Sequence, residues 1–217
     1  MPRPRLKPTQ SPPPPSSGVR ASTFKLLLDT AMELIQQSGH IPSIAEVAVR
    51  SNVSRATAYR YFPSRSALIT SVVDASLGPV RELEQTAPDA RTRVHSLFNT
   101  TVPRFHDFEP QLRAACQLAL EQWALQRAGL LEEEPYRRGH RVRILEHALE
   151  PMKGELSAAA RERLHKGLSV LFGIEAYAIL KDMWGMGEKE IGKMLLWMAD
   201  ALIDASLAEK GRASRKA

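Results

Sequence analysis

Residues 43–63 read SIAEVAVRSNVSRATAYRYFP, and the folding of this stretch decides the architecture of the chain around it. Ser43 stands three residues before Glu46, the spacing at which a hydroxyl and a carboxylate each satisfy a free amide in a helix's first turn. A short helix therefore starts here, burying Ile44, Val47 and Ala48. It has to stop near Ser51-Asn52, because asparagine tolerates the left-handed backbone that a tight turn requires. Ser54 then serves as N-cap of a further helix, which Pro63 closes. Two short helices separated by so brief a turn make a helix-turn-helix.

The second of these helices is dense in groups that bond nucleic acid. Arg55, Thr57, Tyr59, Arg60 and Tyr61 occupy almost two turns, while Val53, Ala58 and Phe62 supply the inward set that anchors them. Arginine reads guanine bidentately in the major groove, and hydroxyls of serine and tyrosine bond phosphate oxygens without specifying sequence. The small Ala56 lets the helix approach a groove closely. Ser43 and Arg65 fall at the starts of the second and fourth helices, where free amides and the helix dipole favour a phosphate.

Charge points the same way. The net charge is +6; residues 1–65 hold 9 Lys and Arg against 3 Asp and Glu, and residues 66–217 hold 21 against 21. The whole excess lies in the first third, as expected of a nucleic-acid-binding head on a neutral body.

Working outward, Phe24, Leu27, Leu28, Ala31, Leu34 and Ile35 recur at helical spacing from Ser22 until Gly39. Ser64 caps a fourth helix predicted to reach Leu77, where Gly78-Pro79 breaks the pattern. Beyond it, punctuation predicts helices near 90–107, 110–128, 135–150, 157–184 and 188–209, with Pro103 kinking or shortening its helix. Glu132, Glu133 and Glu134 are expected to complement the dipole of the helix starting at Pro135. No segment alternates with period two. The fold class is thus all-α: a three-helix head at residues 21–66 and a larger helical body at 67–210. A basic, proline-rich arm over 1–20 and a tail over 211–217 flank them. The arm is either a mobile tail or a segment that touches phosphates beside the head.

The single cysteine, Cys116, excludes an internal disulfide and fits a reducing compartment. No run approaches eighteen apolar residues and no apolar signal segment opens the chain, so no membrane partner and a cytoplasmic location are expected. A glycine-rich phosphate loop, a serine elbow and a catalytic Cys-His grouping are all missing, so no enzyme activity and no cofactor are expected. His140 and His147 lack the spacing of a metal site.

The last two predicted helices carry apolar residues on more than one face, among them Leu164, Leu171, Ile179, Met194, Trp197 and Met198. One face would pack on the body and another on a partner, giving a homodimer through residues 157–209, with Gly167, Gly173 and Gly192 allowing close crossings. A helix pair buried within a monomer would show the same pattern.

At SIAEVAVRSNVSRATAYRYFPSRSALI, residues 43–69, the chain resembles the DNA-binding head of the tetracycline-repressor (TetR) family. Order and spacing agree throughout: a capped second helix, the turn, a tyrosine-aromatic-phenylalanine ending and a basic-capped fourth helix. Ser51-Asn52 stands where the family commonly has Ala-Gly. A weaker likeness to the family's last two helices covers residues 172–203. The resemblance implies a DNA-binding transcriptional regulator, a repressor that holds a palindromic operator as a homodimer until a small-molecule effector releases it. It places Ser43, Ser54, Arg55, Ala56, Thr57, Tyr59, Arg60, Tyr61 and Arg65 at DNA. Arg55, Thr57 and Arg60 would meet base edges, and Ser43, Tyr61 and Arg65 backbone oxygens. For the effector it implies a pocket in the body, where this sequence offers Phe98, Cys116, Trp123, Tyr136 and Arg141. A ligand-independent architectural DNA binder and an enzyme with an attached basic domain are the alternative readings.

Overall fold

Ten α-helices and one short 3-10 helix make up the regular structure of the computed structural model, which describes residues 14–81, 83, 86–136 and 139–214. No strand occurs among the described residues, so the chain is all-α as its punctuation predicts. Most of the arm expected over 1–20, residues 1–13, lies outside the described residues. The chain divides into two compact units: the described residues up to Ser76 with those of Pro110–Arg137, and those of Leu77–Glu109 with those of Arg138–Ala217.

The first unit contains α1 (Gly18–Ser38), α2 (Ile44–Arg50), α3 (Arg55–Tyr61), most of α4 (Arg65–Arg81) and nearly all of α6 (Glu109–Ala128). The head expected over 21–66 falls within it. Leu27, Ala31 and Ile35 of α1, Ile44, Val47 and Ala48 of α2, Ala58 of α3, Phe62, and Leu68 and Ile69 of α4 are all buried. Half-buried Phe24 packs against them, its ring 5.2 Å from that of Phe62 and 6.3 Å, edge-on, from that of Tyr61. A seven-residue helix such as α3 is too short to persist alone, so packing on its inward face is what holds it. Gln111 of α6 donates to the Met32 carbonyl at 3.0 Å and to Gln36 Oε1 at 3.1 Å, tying α6 to α1.

The second unit contains α5 (Ala90–Asp107), α7 (His140–Ala148), the 3-10 turn Glu150–Gly154, α8 (Ala158–Leu171), α9 (Ile174–Trp184) and α10 (Glu188–Ser214). In α10 the residues Ile191, Leu195, Ala199 and Ile203, spaced by four, form a fully buried stripe. This helix packs on α5 and α8, and α7 packs on α8. Gly167 lets α8 approach α10, since a Cβ there would lie 3.2 Å from a Leu202 methyl.

Several boundaries differ from those predicted, each for a local reason. The helix expected over 157–184 is two helices, broken at Phe172-Gly173. Arg141 causes the break to hold: it donates to the Ser169 carbonyl at 3.2 Å, one of the acceptors left free at the end of α8, and to both oxygens of Glu175 in the first turn of α9. Gly173 leaves the space for it, since a Cβ there would stand 2.1 Å from Arg141 Nη1. The helix expected from 135 begins only at His140, because the Tyr136 amide donates instead to Gln122 Oε1 at 2.7 Å. Pro103 does not end α5 early, and α4 runs one turn past the expected stop, through Gly78-Pro79 to Arg81. At the chain's two ends, α1 begins at Gly18 and α10 continues to Ser214.

Candidate DNA interface

The local chemistry of residues 43–65 builds a rigid platform. Ser43 accepts from the Glu46 amide at 3.1 Å, and Glu46 Oε2 accepts from the Ser43 amide at 2.7 Å, closing both halves of the capping box. The amide of Ser43 is the largest influence on the Glu46 carboxyl, holding it below its ordinary range. Asn52 takes a φ of 54°, the left-handed turn expected of it, and the Val53 amide reaches the Ala48 carbonyl at 2.9 Å. Ser54 caps α3, accepting from the Thr57 amide at 3.2 Å while its hydroxyl donates to Thr57 Oγ1 at 2.9 Å.

On this platform α3 has two faces. Ala58, Tyr61 and the following Phe62 point inward and are buried, while Arg55, Ala56, Tyr59 and Arg60 are exposed. The exposed set falls at i, i+1, i+4 and i+5, a single ridge with two guanidinium groups, a phenol and one small residue between them. Ser54 is exposed beside it; Thr57 and Ser43 are half-buried with their hydroxyls engaged in the caps. Tyr61, expected at DNA backbone oxygens, is 9% exposed, with the Arg60 guanidinium 5.6 Å from its ring centre.

Arg65 sits in a setting the sequence did not disclose. Its guanidinium binds Glu121 of α6 through two nitrogens, at 2.9 and 3.2 Å, and its amide donates to Glu133 Oε2 at 3.1 Å. Gln122, itself buried, donates to Glu133 Oε1 at 2.8 Å and to Ser66 Oγ at 2.7 Å. An acid at a helix start was the expectation for Glu132–Glu134, but Glu133 serves the start of α4 and not a helix beginning at Pro135.

The residues offered for an effector divide between the two units. In the first, Cys116 is half-buried on α6, Trp123 is 63% exposed, and Tyr136 is half-buried beside Gln122. In the second, Phe98 is buried against Phe172, ring centres 5.1 Å apart, and Arg141 is engaged with Glu175. Phe98 also lines an open groove of about 280 Å³ with Val102, Gly192 and Leu196, rimmed by Lys189 and Lys193. Among the described residues no cluster of His, Cys, Asp or Glu is arranged to hold a metal, and no helix is long and apolar enough to cross a membrane.

Residues 27–72, from the middle of α1 to the middle of α4, match the family model for bacterial regulatory proteins of the tetR family. Over these residues the chain is similar to the DNA-binding head of tetR-family regulators. The match spans the capping box, the Asn52 turn and the whole of α3, so the exposed ridge lies within the segment that is similar to the family's head. The matched segment is the part of those bacterial regulatory proteins that carries the helix-turn-helix. The fold of the chain resembles that of a tetR-family transcriptional regulator from Streptomyces coelicolor, with 18% identity, a TM-score of 0.63, and coverage of 92% of this chain and 89% of that one. A second solved structure, described as a tetR family transcription regulator from Shewanella sp. PV-4, aligns at 17% identity over 88% of this chain and 96% of that one, with a TM-score of 0.48. No curated protein matches the chain in sequence.

Proposed function

We propose that this chain is a tetR-family transcription regulator, a homodimeric cytoplasmic repressor that holds a palindromic operator and lets it go when a small molecule binds its body. The observation that carries this reading is the ridge of Arg55, Ala56, Tyr59 and Arg60, exposed on a helix whose opposite face is locked into the core. Arg55 and Arg60 reach base edges, with Thr57 beside them. Ser43, Ser54, Tyr59 and Arg65 meet the sugar-phosphate backbone, Ala56 permits close approach, and buried Tyr61 holds the helix from its inward face.

Support for the dimer comes from the second unit. Ile179, Met183 and Trp184 of α9, with Met194 and Trp197 of α10, are exposed, Trp184 at 73% and Trp197 at 66%. Large apolar side chains in this density mark an interface more than a solvated face. A two-fold pair presents two recognition helices, and the DNA that matches it repeats as a palindrome. An effector releases DNA only by binding the released form better; moving a 1:99 equilibrium to 99:1 takes about a 10⁴-fold preference. Within the second unit Phe98, which lines the open groove with Val102 and Gly192, remains a candidate to meet it.

Selection of bound duplexes from a random pool, followed by titration, tests the reading. A palindromic consensus is expected, with Arg55→Ala and Arg60→Ala each costing about 1–3 kcal/mol and relaxing preference at one base pair per half-site. Equal losses on every sequence would remove these arginines from the bases, and a consensus without two-fold symmetry would remove the dimer.

A further inference from the structure

The start of α4 offers what a DNA phosphate needs: a free first-turn amide, the positive end of a 17-residue helix, and the Arg65 guanidinium. In this structure that position is filled from within the chain. Glu133 Oε2 accepts from the Arg65 amide at 3.1 Å, and Glu121 accepts from both terminal nitrogens of the Arg65 side chain. Two carboxylates therefore occupy both phosphate-binding groups together. Glu133 is also oriented: its other oxygen accepts from buried Gln122, whose amide nitrogen simultaneously holds Ser66 Oγ in the first turn of α4. The contact is thus tied into the core on one side, while the Arg65–Glu121 pair stays partly open to solvent.

We propose that Glu121 and Glu133 act as an intramolecular phosphate mimic, an autoinhibitory contact that DNA must displace before Arg65 and the α4 amide engage its backbone. The inference rests on the reading of Arg65 as a backbone contact. It goes beyond that reading by assigning Glu121 and Glu133 a role, with Gln122 as the residue that positions Glu133. The competition is between anions for one cationic site. Removing a carboxylate frees the site in the unbound protein, so it raises affinity for every DNA sequence alike and leaves sequence preference untouched.

The test uses the full chain with Glu121→Gln and Glu133→Gln, titrated against short fluorescently labelled duplexes of random sequence over a range of salt concentrations. Helical content by circular dichroism is checked first; Glu121→Gln, on the solvent-facing pair, suffices if Glu133→Gln does not fold. Each variant is expected to bind about two- to five-fold tighter at low salt, the range of a partly exposed ion pair. It should also show a steeper dependence of log K on log salt, by up to about one unit, because the unbound variant no longer has an internal anion in the site. Unchanged or weaker binding, with wild-type protein binding normally, would overturn the mimic while leaving the DNA-binding role of Arg65 intact. If Arg65→Ala leaves wild-type affinity unaltered, the backbone-contact reading fails instead, and the mimic with it. Binding by the variants alone would support the proposal.

Discussion

Arg141 spans the break between α8 and α9 to reach Glu175, its two terminal nitrogens 3.1 and 2.7 Å from the two carboxylate oxygens. This fork sits where a Cβ on Gly173 would stand. The backbone of Gly173 is extended, with φ at −164°, a conformation any residue adopts, so an alanine there displaces the guanidinium and not the chain. Arg141→Ala is expected to destabilise the protein by about 1–2 kcal/mol, the range of charge-assisted hydrogen bonds. Gly173→Ala should cost a comparable amount, and the double variant little more than either, since both remove the same contact. Urea denaturation of the four proteins checks this; strict additivity would show that the clash and the ion pair are unrelated.

The capping box of α2 predicts a dependence on pH. Because the Glu46 carboxyl is held below its ordinary value of 4.5, its contribution to stability is fully present above that value and is lost as pH falls through the depressed one. The stability difference between wild type and Glu46→Gln should be constant near neutrality and shrink below about pH 4.5. Ser43→Ala, which removes the other half of the box, should cost about 1 kcal/mol. Thermal unfolding across a pH series measures both.

Asn52 supplies the only positive φ among the described non-glycine residues. Replacing it with glycine should change stability by no more than a few tenths of a kcal/mol. Valine, whose Cβ opposes the left-handed backbone, should cost about 1–2 kcal/mol and loosen the angle between α2 and α3. A drop in DNA affinity larger than the drop in stability for Asn52→Val, read by titration below its melting point, would show that the turn aims the recognition helix as well as closing it.

Trp197 tests the assembly. It projects from α10 with two-thirds of its surface exposed, so Trp197→Arg leaves the fold of one chain intact, with a stability change near ~0.5 kcal/mol. Sedimentation should nonetheless shift from dimer to monomer, and affinity for a two-half-site duplex should collapse toward that for a single half-site. A variant that still sediments as a dimer would move the interface elsewhere.

What the sequence disclosed was local. Ser43 with Glu46, Ser54 before Thr57 and Asn52 in the turn each act within four residues of themselves, and each does in the structure what its spacing predicts. The exposed and buried faces of α3 follow from the same periodicity. The long-range polar contacts were not legible. Nothing in the run Glu132–Glu134 says that its middle residue serves a helix 68 positions earlier. Similarly, Arg141, which the sequence offers only as a residue of an effector pocket, is brought by the fold to Gly173 and Glu175. Such pairs depend on how helices pack, and spacing along the chain carries no record of that.

The bond from Gln111 to the Met32 carbonyl sets a practical limit on how the head of this chain can be exchanged. A chimera cut after α4 would leave behind α6 and with it the amide that grips α1, together with the acids that face Arg65. Transplanting this head intact onto another scaffold therefore calls for two separate stretches of chain, grafted at both places at once.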